Sequence, residues 1–199
     1  MVKIKICGLR RREDIEIINK YAPDYIGFVF AESKRQIDFE TAKQLKSFLK
    51  VKIPVVGVFV DAEIEDILNL YRNDVIDMAQ LHGNENEQYI SKLKELEPSL
   101  KLIKAIEIKE DGNLEEYEEL DVDYLLLDSG KGSGKTFNWD LINKNIGKDF
   151  FLAGGLNSNN IKSAIDEFHP YAIDLSSGVE VNGYKNEEKI REVMEVKNE

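Results

Sequence analysis

The sequence predicts an α/β fold, a single-domain (β/α)8 TIM barrel with eight parallel strands, and three observations lead to that prediction. Eight short apolar segments of strand length alternate with amphipathic segments along the 199 residues. The strand-like segments are almost entirely apolar, which is typical of parallel strands covered on both faces. Glycine-rich turns follow the sixth, seventh and eighth segments, whereas the alternative fold, an open doubly wound sheet, usually has one after its first strand.

Strands are predicted at runs of four to six residues in which apolar side chains predominate or alternate with polar ones. Each run is far shorter than a buried helix would need, so a strand is the better assignment. The predicted strands are residues 3–7, 25–30, 55–60, 79–82, 102–106, 124–128, 150–153 and 172–176.

Helices are predicted where apolar side chains recur at every third or fourth position. This spacing puts them on one helical face that can pack against the sheet. The clearest examples contain Ile64, Ile67, Leu68 and Tyr71, and Ile161, Ala164, Ile165 and Phe168; further helices are predicted at residues 13–21, 39–49, 88–96, 114–120, 139–146 and 187–196. No linker or change in composition interrupts residues 1–199, which are therefore expected to form one domain.

The overall charge argues against several classes of partner. The chain has 27 Lys and Arg against 38 Asp and Glu, a net charge of −11. Nucleic acids and anionic membranes attract basic surfaces, so neither is expected as a partner. The longest apolar runs, residues 25–30 and 55–60, fall far short of the roughly 20 residues of a membrane span.

Cysteine use and the N-terminus predict a cytoplasmic protein. Cys7 is the single cysteine, which excludes an internal disulfide and a cysteine-rich zinc site. The first residues, Met-Val-Lys-Ile-Lys-Ile, contain no apolar core or cleavage site of a signal peptide.

In a (β/α)8 barrel, chemistry occurs at the carboxyl ends of the strands, and Cys7 stands at the end of the first. Strand alternation puts it on the same face as Lys3 and Lys5, which we expect to point into the barrel. The thiolate could act there as a base or nucleophile. We expect the charge of Lys5 to help lower the thiol pKa from its ordinary value of about 8.5. The alternative is that Cys7 is a small buried apolar side chain.

Asp128 ends the predicted strand 124–128. Loss of solvation at the end of an apolar strand favours its protonated form and suits a general acid. The alternative is an aspartate that caps the next loop. That loop, residues 129–136, resembles a nucleotide phosphate loop but has Ser129 where the pattern requires glycine, so we predict a glycine-hinged lid instead.

A phosphate site is predicted from Gly154 and Gly155 after the seventh strand and from Ser177 and Gly178 after the eighth. In this fold, backbone N–H groups of these two loops frequently bind phosphate. The alternative is that both segments are ordinary tight turns.

Three further polar residues have both a functional and a structural interpretation. Arg35 could bind a carboxylate with its planar guanidinium, or be a solvated surface residue. His82 could be a ligand, a proton relay or a loop-ordering residue; a metal site is not expected, since the chain has 2 histidines and none is paired with a carboxylate at metal spacing. Lys104 could form a Schiff base, as in barrel aldolases.

Taken together, these motifs resemble the phosphoribosylanthranilate isomerase family of tryptophan biosynthesis. The resemblance runs from residue 3 to residue 180. It rests on the segments Lys5-Ile6-Cys7-Gly8, Gly27-Phe28-Val29-Phe30, Ser33-Lys34-Arg35, Val55-Val56-Gly57-Val58-Phe59-Val60, Gln80-Leu81-His82-Gly83, Leu127-Asp128, Leu152-Ala153-Gly154-Gly155-Leu156 and Asp174-Leu175-Ser176-Ser177-Gly178-Val179-Glu180.

The resemblance implies a barrel isomerase that needs no metal or coenzyme and acts on a small phosphosugar. We expect a monomer or homodimer. It implies an Amadori rearrangement of N-(5′-phosphoribosyl)anthranilate into 1-(2-carboxyphenylamino)-1-deoxyribulose 5-phosphate. Asp128 would be the general acid and Cys7 the general base. Arg35 would hold the anthranilate carboxylate, His82 and Asp174 would contact substrate, and the glycine turns would hold the phosphate. Lys131 and Asn138, in the loop after the sixth strand, depart from the family pattern. The alternative to an enzyme is a barrel that binds a phosphosugar without catalysing a reaction.

Overall fold

The computed structural model describes residues 1–108, 114–128 and 146–198, and its eight parallel strands form a closed barrel. Each strand pairs with the next along the chain, and the eighth pairs with the first. The fold class predicted from the sequence is therefore confirmed. The strands are β1 (Lys3–Cys7), β2 (Tyr25–Val29), β3 (Val55–Phe59), β4 (Met78–Leu81), β5 (Lys101–Glu107), β6 (Tyr124–Asp128), β7 (Phe150–Ala153) and β8 (Ala172–Leu175).

Helices lie between the strands, as their amphipathic spacing predicts. Asp38 and Asn86 begin two of them by accepting hydrogen bonds from the backbone N–H groups of Thr41 and Tyr89. The helices are α1 (Arg12–Tyr21), α2 (Phe39–Ser47), α3 (Ile64–Arg72), α4 (Glu87–Leu96), α5 (Glu115–Glu118), α6 (Ile161–Phe168) and α7 (Glu187–Asn198). The predicted lid at 129–136 and residues 139–145 of the predicted sixth helix lie outside the described residues. Among the described helices, none combines the length and apolarity that crossing a membrane requires.

Two apolar cores follow from the alternation of side chains along each strand. The outer core lies between sheet and helices and includes Ile4 and Ile6 of β1. The inner core, inside the barrel, contains Met78, Leu126 and Ala172. Residues two positions further along the same strands share the inward face, and this places Gln80, Asp128 and Asp174 inside the barrel near its carboxyl end.

The barrel interior changes from aromatic to polar toward the carboxyl end of the strands. Four rings, those of Tyr25, Tyr124, Phe151 and Tyr171, contact one another with centroids 4.9 to 5.7 Å apart. Along the strands beyond this aromatic layer come buried Lys5 and Gln80, with Asp174 beside them. The aromatic layer fills the lower half of the barrel, so the polar side chains are concentrated at its mouth.

A short hairpin after β8 was not predicted. Its strands, β9 (Glu180–Val181) and β10 (Tyr184–Lys185), are joined by Asn182 and Gly183, which both have positive φ. This is the geometry that an Asn-Gly pair favours. The guanidinium of Arg11 lies 4.1 Å from the centroid of the Tyr184 ring, which ties the hairpin to the start of α1. The hairpin turns Lys185 into the protein.

Candidate active site

Cys7 is the last residue of β1 and lies at the mouth of the barrel. Its side chain is buried, and it packs against Gly27 of the neighbouring strand. A Cβ atom at Gly27 would stand only 2.6 Å from Cys7 Sγ, so the thiol fits because residue 27 is glycine. The packing of Ile4 and Ile6 against the helices confirms the predicted orientation of β1.

Several charges around the thiol act on its pKa in opposite directions. Burial is the largest effect and raises the pKa of Cys7; the positive charges of Lys5, Lys185 and Arg35 lower it, and Asp174 raises it. The net result is a raised pKa. The prediction that Lys5 helps lower the pKa is therefore right for the contribution of Lys5, but burial and the carboxylate outweigh it.

Lys5 is fully buried and connects its own strand, β1, with β4 and β8. Its ammonium donates to Gln80 Oε1 at 2.6 Å and to Asp174 Oδ2 at 2.9 Å. Burial works against the charged amine, but Asp174 and Cys7 together outweigh it and raise the pKa of Lys5. The amine is accordingly an ammonium, with hydrogen bonds that offset the cost of burying it.

The pH dependence of thiol alkylation should report these charges. We expect the alkylation rate of Cys7 by iodoacetamide to rise with a midpoint above that of a free cysteine, because the reactive thiolate is disfavoured by burial. Asp174→Asn should move the midpoint to lower pH, since it removes a negative charge from beside the thiolate. The measurement is the alkylation rate of the single cysteine as a function of pH.

Asp77→Asn is the matched control, because Asp77 precedes β4 at the opposite end of the barrel and should leave the midpoint unchanged. An unaltered midpoint in Asp174→Asn would show that the carboxylate does not influence the thiol.

The polar side chains Asp174, Lys5 and Gln80 form a row across the barrel mouth, which continues through His82 to Asp128. Gln80 Nε2 lies 3.0 Å from His82 Nδ1, and His82 Nε2 lies 3.5 Å from Asp128 Oδ2. The structure therefore connects β8, β1, β4 and β6 by successive side-chain contacts that run from Asp174 to Asp128. His82, for which the sequence allowed three roles, lies next to Asp128 and is one-third exposed.

Asp174 presents one carboxylate oxygen without a partner. Oδ2 accepts from Lys5, whereas Oδ1 is buried and has no hydrogen-bond partner among the described residues. The side chain is only 9% exposed. A buried polar atom without a partner is costly, so this oxygen is suited to accept a hydrogen bond from a bound ligand.

Arg35 forms a partly buried, bidentate ion pair with Glu180, which the sequence did not indicate. Its Nε and Nη2 donate to the two carboxylate oxygens of Glu180, each at 2.7 Å. Lys185 donates to Glu180 Oε1 at 2.7 Å and to Ser176 O at 3.0 Å. Burial opposes the charge on Glu180, but its hydrogen bonds with Arg35 and Lys185 lower its pKa to about 2.

This arrangement corrects the interpretation of Arg35 as a solvated surface residue, because the side chain is 30% exposed and ion-paired. Glu180 occupies the edge of the guanidinium formed by Nε and Nη2, and Nη1 donates to no described residue. The opposite edge, formed by Nη1 and the second N–H of Nη2, can therefore bind a ligand carboxylate.

Lys104 lies on β5 in a buried ion pair. Its ammonium donates to Glu85 Oε2 and to Gly83 O, both at 2.7 Å. Glu85 also accepts from the backbone N–H groups of Asp61 and Gly83, so the pair orders the loops after β3 and β4. A Schiff base requires a free neutral amine, and this environment favours the structural role; trapping with borohydride and a sugar phosphate should leave the protein unlabelled.

The loops after β7 and β8 meet at the mouth. A Cβ at Gly178 would stand 1.8 Å from Leu156 O, so only glycine allows this contact. Gly154 and Gly155 have φ values of 97° and 62°, and apart from its chain neighbours no described residue has an atom within 4 Å of where a Cβ on Gly155 would be. The two glycine segments predicted to bind phosphate are therefore brought together.

We expect Gly178→Ala to destabilise the protein more than Gly155→Ala. The first forces a backbone carbonyl to move, with a cost of about 3 kcal/mol or more in the free energy of unfolding. The second strains only φ, with a cost of about 1–2 kcal/mol. Urea unfolding of both variants measures the difference. Equal costs would mean that the two loops separate without penalty.

Three residues of this site were not predicted from the sequence. Gln80 of β4 precedes His82 by two positions, so the two side chains are expected on the same face, and that spacing is the signal that could have identified Gln80. Glu180 and Lys185 were not given roles; the Asn182-Gly183 pair between them signals a hairpin that brings them together. Among the described residues, no group of three or more His, Cys, Asp and Glu side chains is arranged to hold a metal ion.

Comparison with known proteins identifies the relatives of this chain. A family model described as N-(5′-phosphoribosyl)anthranilate (PRA) isomerase matches residues 4–196. The N-(5′-phosphoribosyl)anthranilate isomerase of Clostridium acetobutylicum is 46% identical over 199 residues, covering 96% of this chain and 95% of that protein. The corresponding Thermoanaerobacter sp. enzyme is 45% identical and covers 98% and 97%.

Solved structures agree with the sequence matches. The phosphoribosylanthranilate isomerase of Thermotoga maritima superposes with a TM-score of 0.89 at 36% identity, covering 100% of both chains. A second structure of such an isomerase, in complex with reduced 1-(o-carboxyphenylamino)-1-deoxyribulose 5-phosphate, gives 0.87 at 34% identity and also covers 100% of both. Another concerns monomers generated from the dimeric Thermotoga maritima enzyme. Since the match extends over nearly the whole barrel at high identity, this chain belongs to the N-(5′-phosphoribosyl)anthranilate isomerase family.

Proposed function

We propose that this protein converts N-(5′-phosphoribosyl)anthranilate into 1-(2-carboxyphenylamino)-1-deoxyribulose 5-phosphate, an Amadori rearrangement in tryptophan biosynthesis. The observation that supports this most directly is the polar row across the barrel mouth, with Cys7 beside one end and Asp128 at the other. The reaction needs an acid and a base at different atoms of one sugar, so two groups on different strands suit it.

Asp128 is the proposed general acid. It gives its proton to the furanose ring oxygen, the C1′–O bond breaks, and the nitrogen lone pair forms the C1′=N iminium. His82 Nε2 lies 3.5 Å from Asp128 Oδ2 and can stabilise the carboxylate that remains. Apolar Leu126, two residues earlier on the same inward face, keeps water from the lower side of the acid.

Cys7 is the proposed general base. The iminium makes the adjacent C2′–H bond acidic, and the thiolate takes that proton while the C–H electron pair forms C1′=C2′ and neutralises the nitrogen. The resulting enolamine then tautomerises to the ketone. The raised pKa of the thiol implies that kcat/KM increases with pH. The iminium charge, formed only after ring opening, favours the thiolate when the base is needed.

Binding groups surround this pair. Arg35, held by Glu180, offers its terminal nitrogens to the anthranilate carboxylate. Asp174 Oδ1, buried and without a partner among the described residues, would accept from a ribose hydroxyl. Gly154, Gly155, Ser177 and Gly178 would bind the phosphate through backbone N–H groups. The proposed substrate contains one group for each of these positions.

The test is an assay of the purified protein with freshly prepared phosphoribosylanthranilate, in which substrate loss is followed by fluorescence and product is identified by mass and chromatography. We expect multiple turnovers without added metal or coenzyme. Tight binding of substrate without turnover would instead support the alternative of a non-catalytic phosphosugar-binding barrel. Absence of both binding and turnover would refute the proposal.

A further inference from the structure

We propose that Gln80 is a positioning residue that keeps His82 in the neutral Nε2–H tautomer, with its N–H directed at Asp128. The inference deepens the proposed function, on which its catalytic part rests. Its structural basis is the sequence of contacts from Lys5 through Gln80 and His82 to Asp128.

The orientation of the Gln80 amide is fixed by Lys5. An ammonium group has only donors, so the atom of Gln80 that lies 2.6 Å from Lys5 Nζ must be the amide oxygen. A flipped amide would direct its NH2 group at a buried positive charge. Lys5 cannot turn away at low cost, because it is fully buried and also bound to Asp174.

The orientation of the amide in turn determines which nitrogen of His82 is protonated. With its oxygen on Lys5, Gln80 presents its NH2 group to His82 Nδ1 at 3.0 Å. An NH2 group donates, so Nδ1 must be the acceptor and has no proton. The neutral ring therefore holds its proton on Nε2, the nitrogen 3.5 Å from Asp128 Oδ2.

This tautomer is the one that helps an acid at Asp128. An Nε2 lone pair would compete with the sugar ring oxygen for the Asp128 proton and would repel the carboxylate left after proton transfer. An Nε2–H group accepts nothing, so the proton remains available to the substrate, and the N–H stabilises the carboxylate product. Lys5 thus acts on both ends of the site, through its charge near Cys7 and through Gln80 near Asp128.

The decisive experiment is 15N–1H correlation spectroscopy of the imidazoles at a pH where both are neutral. The chain contains 2 histidines, so His82→Gln assigns the signals and His169 is an internal reference. We expect the Nε2–H pattern for His82 in the unaltered protein. The Nδ1–H pattern, or an even mixture of tautomers, would overturn the inference.

Gln80→Glu is the matching variant. A carboxylate can still accept from Lys5, so the buried charge keeps its partner, but the second oxygen cannot donate to His82. We expect His82 to change to a form with Nδ1 protonated. Unchanged Nε2–H signals in this variant would show that Gln80 does not control the tautomer.

Activity measurements then test the catalytic part. Gln80→Glu should lower kcat about tenfold with KM changed less than about threefold, since a proton transfer is affected and the substrate contacts are not. Gln44→Glu, on the exposed surface of α2, adds the same charge and should alter neither kcat nor the His82 signal. A changed tautomer with unchanged kcat would refute the catalytic part alone, and an inactive parent protein would refute the proposed function while the spectra still test the tautomer.

Discussion

Cys7→Ser is expected to lower kcat by a factor of about 10³ or more while KM changes only a few-fold, because a serine hydroxyl is too weak an acid to supply an anionic base at neutral pH. Serine is slightly smaller than cysteine and fits against Gly27, and the ion pair of Lys5 with Asp174 remains. The loss therefore falls on proton removal at C2′. Steady-state kinetics with phosphoribosylanthranilate measures it.

Ile6→Val provides the control for Cys7→Ser. Ile6 is on the same strand but points into the outer core, so the change should cost about 0.5–1.5 kcal/mol in stability and leave kcat unaltered. Thermal unfolding of Cys7→Ser should match that of the parent protein to within a few degrees. Near-full activity in Cys7→Ser would contradict the assignment of the base.

The strands and most helices could be predicted because their signals are local. β1, β6 and β7 have the boundaries expected from the sequence, since β6 and β7 are short apolar runs, β1 alternates apolar with polar residues, and each strand ends at a polar or small residue. Helix α3 has its apolar side chains at helical spacing, and two residues of the predicted face, Ile67 and Leu68, are buried. Closure of the barrel could be predicted because the sequence contains eight strand-like segments alternating with helical ones.

The partners of charged residues could not be predicted because they depend on contacts between distant segments. Arg35 and Glu180 are 145 residues apart in the chain, and their pairing depends on the hairpin that follows β8. The pKa of Cys7 shows the same limit. The sequence indicated that Lys5 is nearby, but the dominant effect, burial, requires the packed structure.

The roles proposed for the site residues combine both kinds of information. Cys7 and Asp128 are candidates because they stand at the ends of their strands, whereas their roles as base and acid and the role of Asp174 are implied by the family resemblance. The sequence allows three roles for His82, because it does not show that the Gln80 amide is oriented by Lys5. The structure adds the direction of each hydrogen bond, and this gives His82 a defined neighbour at each ring nitrogen.

Asp128→Asn is expected to lower kcat by a factor of about 10² to 10⁴, because an amide has nearly the shape of the acid but cannot give a proton to the ring oxygen. Its amide oxygen can still accept from His82 Nε2, so the site geometry should be preserved. KM should change little, since the proposed substrate contacts are made by other residues. Asp121→Asn, an exposed aspartate in the loop before β6, is the matched control and should have normal kinetics.

The two variants can be distinguished by the step that each one slows. With substrate deuterated at C2′, Cys7→Ser should show a large isotope effect on kcat, because breaking the C2′–H bond limits its rate. Asp128→Asn should show an isotope effect near one, because ring opening precedes that bond cleavage and becomes rate-limiting. The reverse pattern would mean that the acid and base assignments are exchanged, and large isotope effects in both variants would exclude Asp128 as the acid that opens the ring.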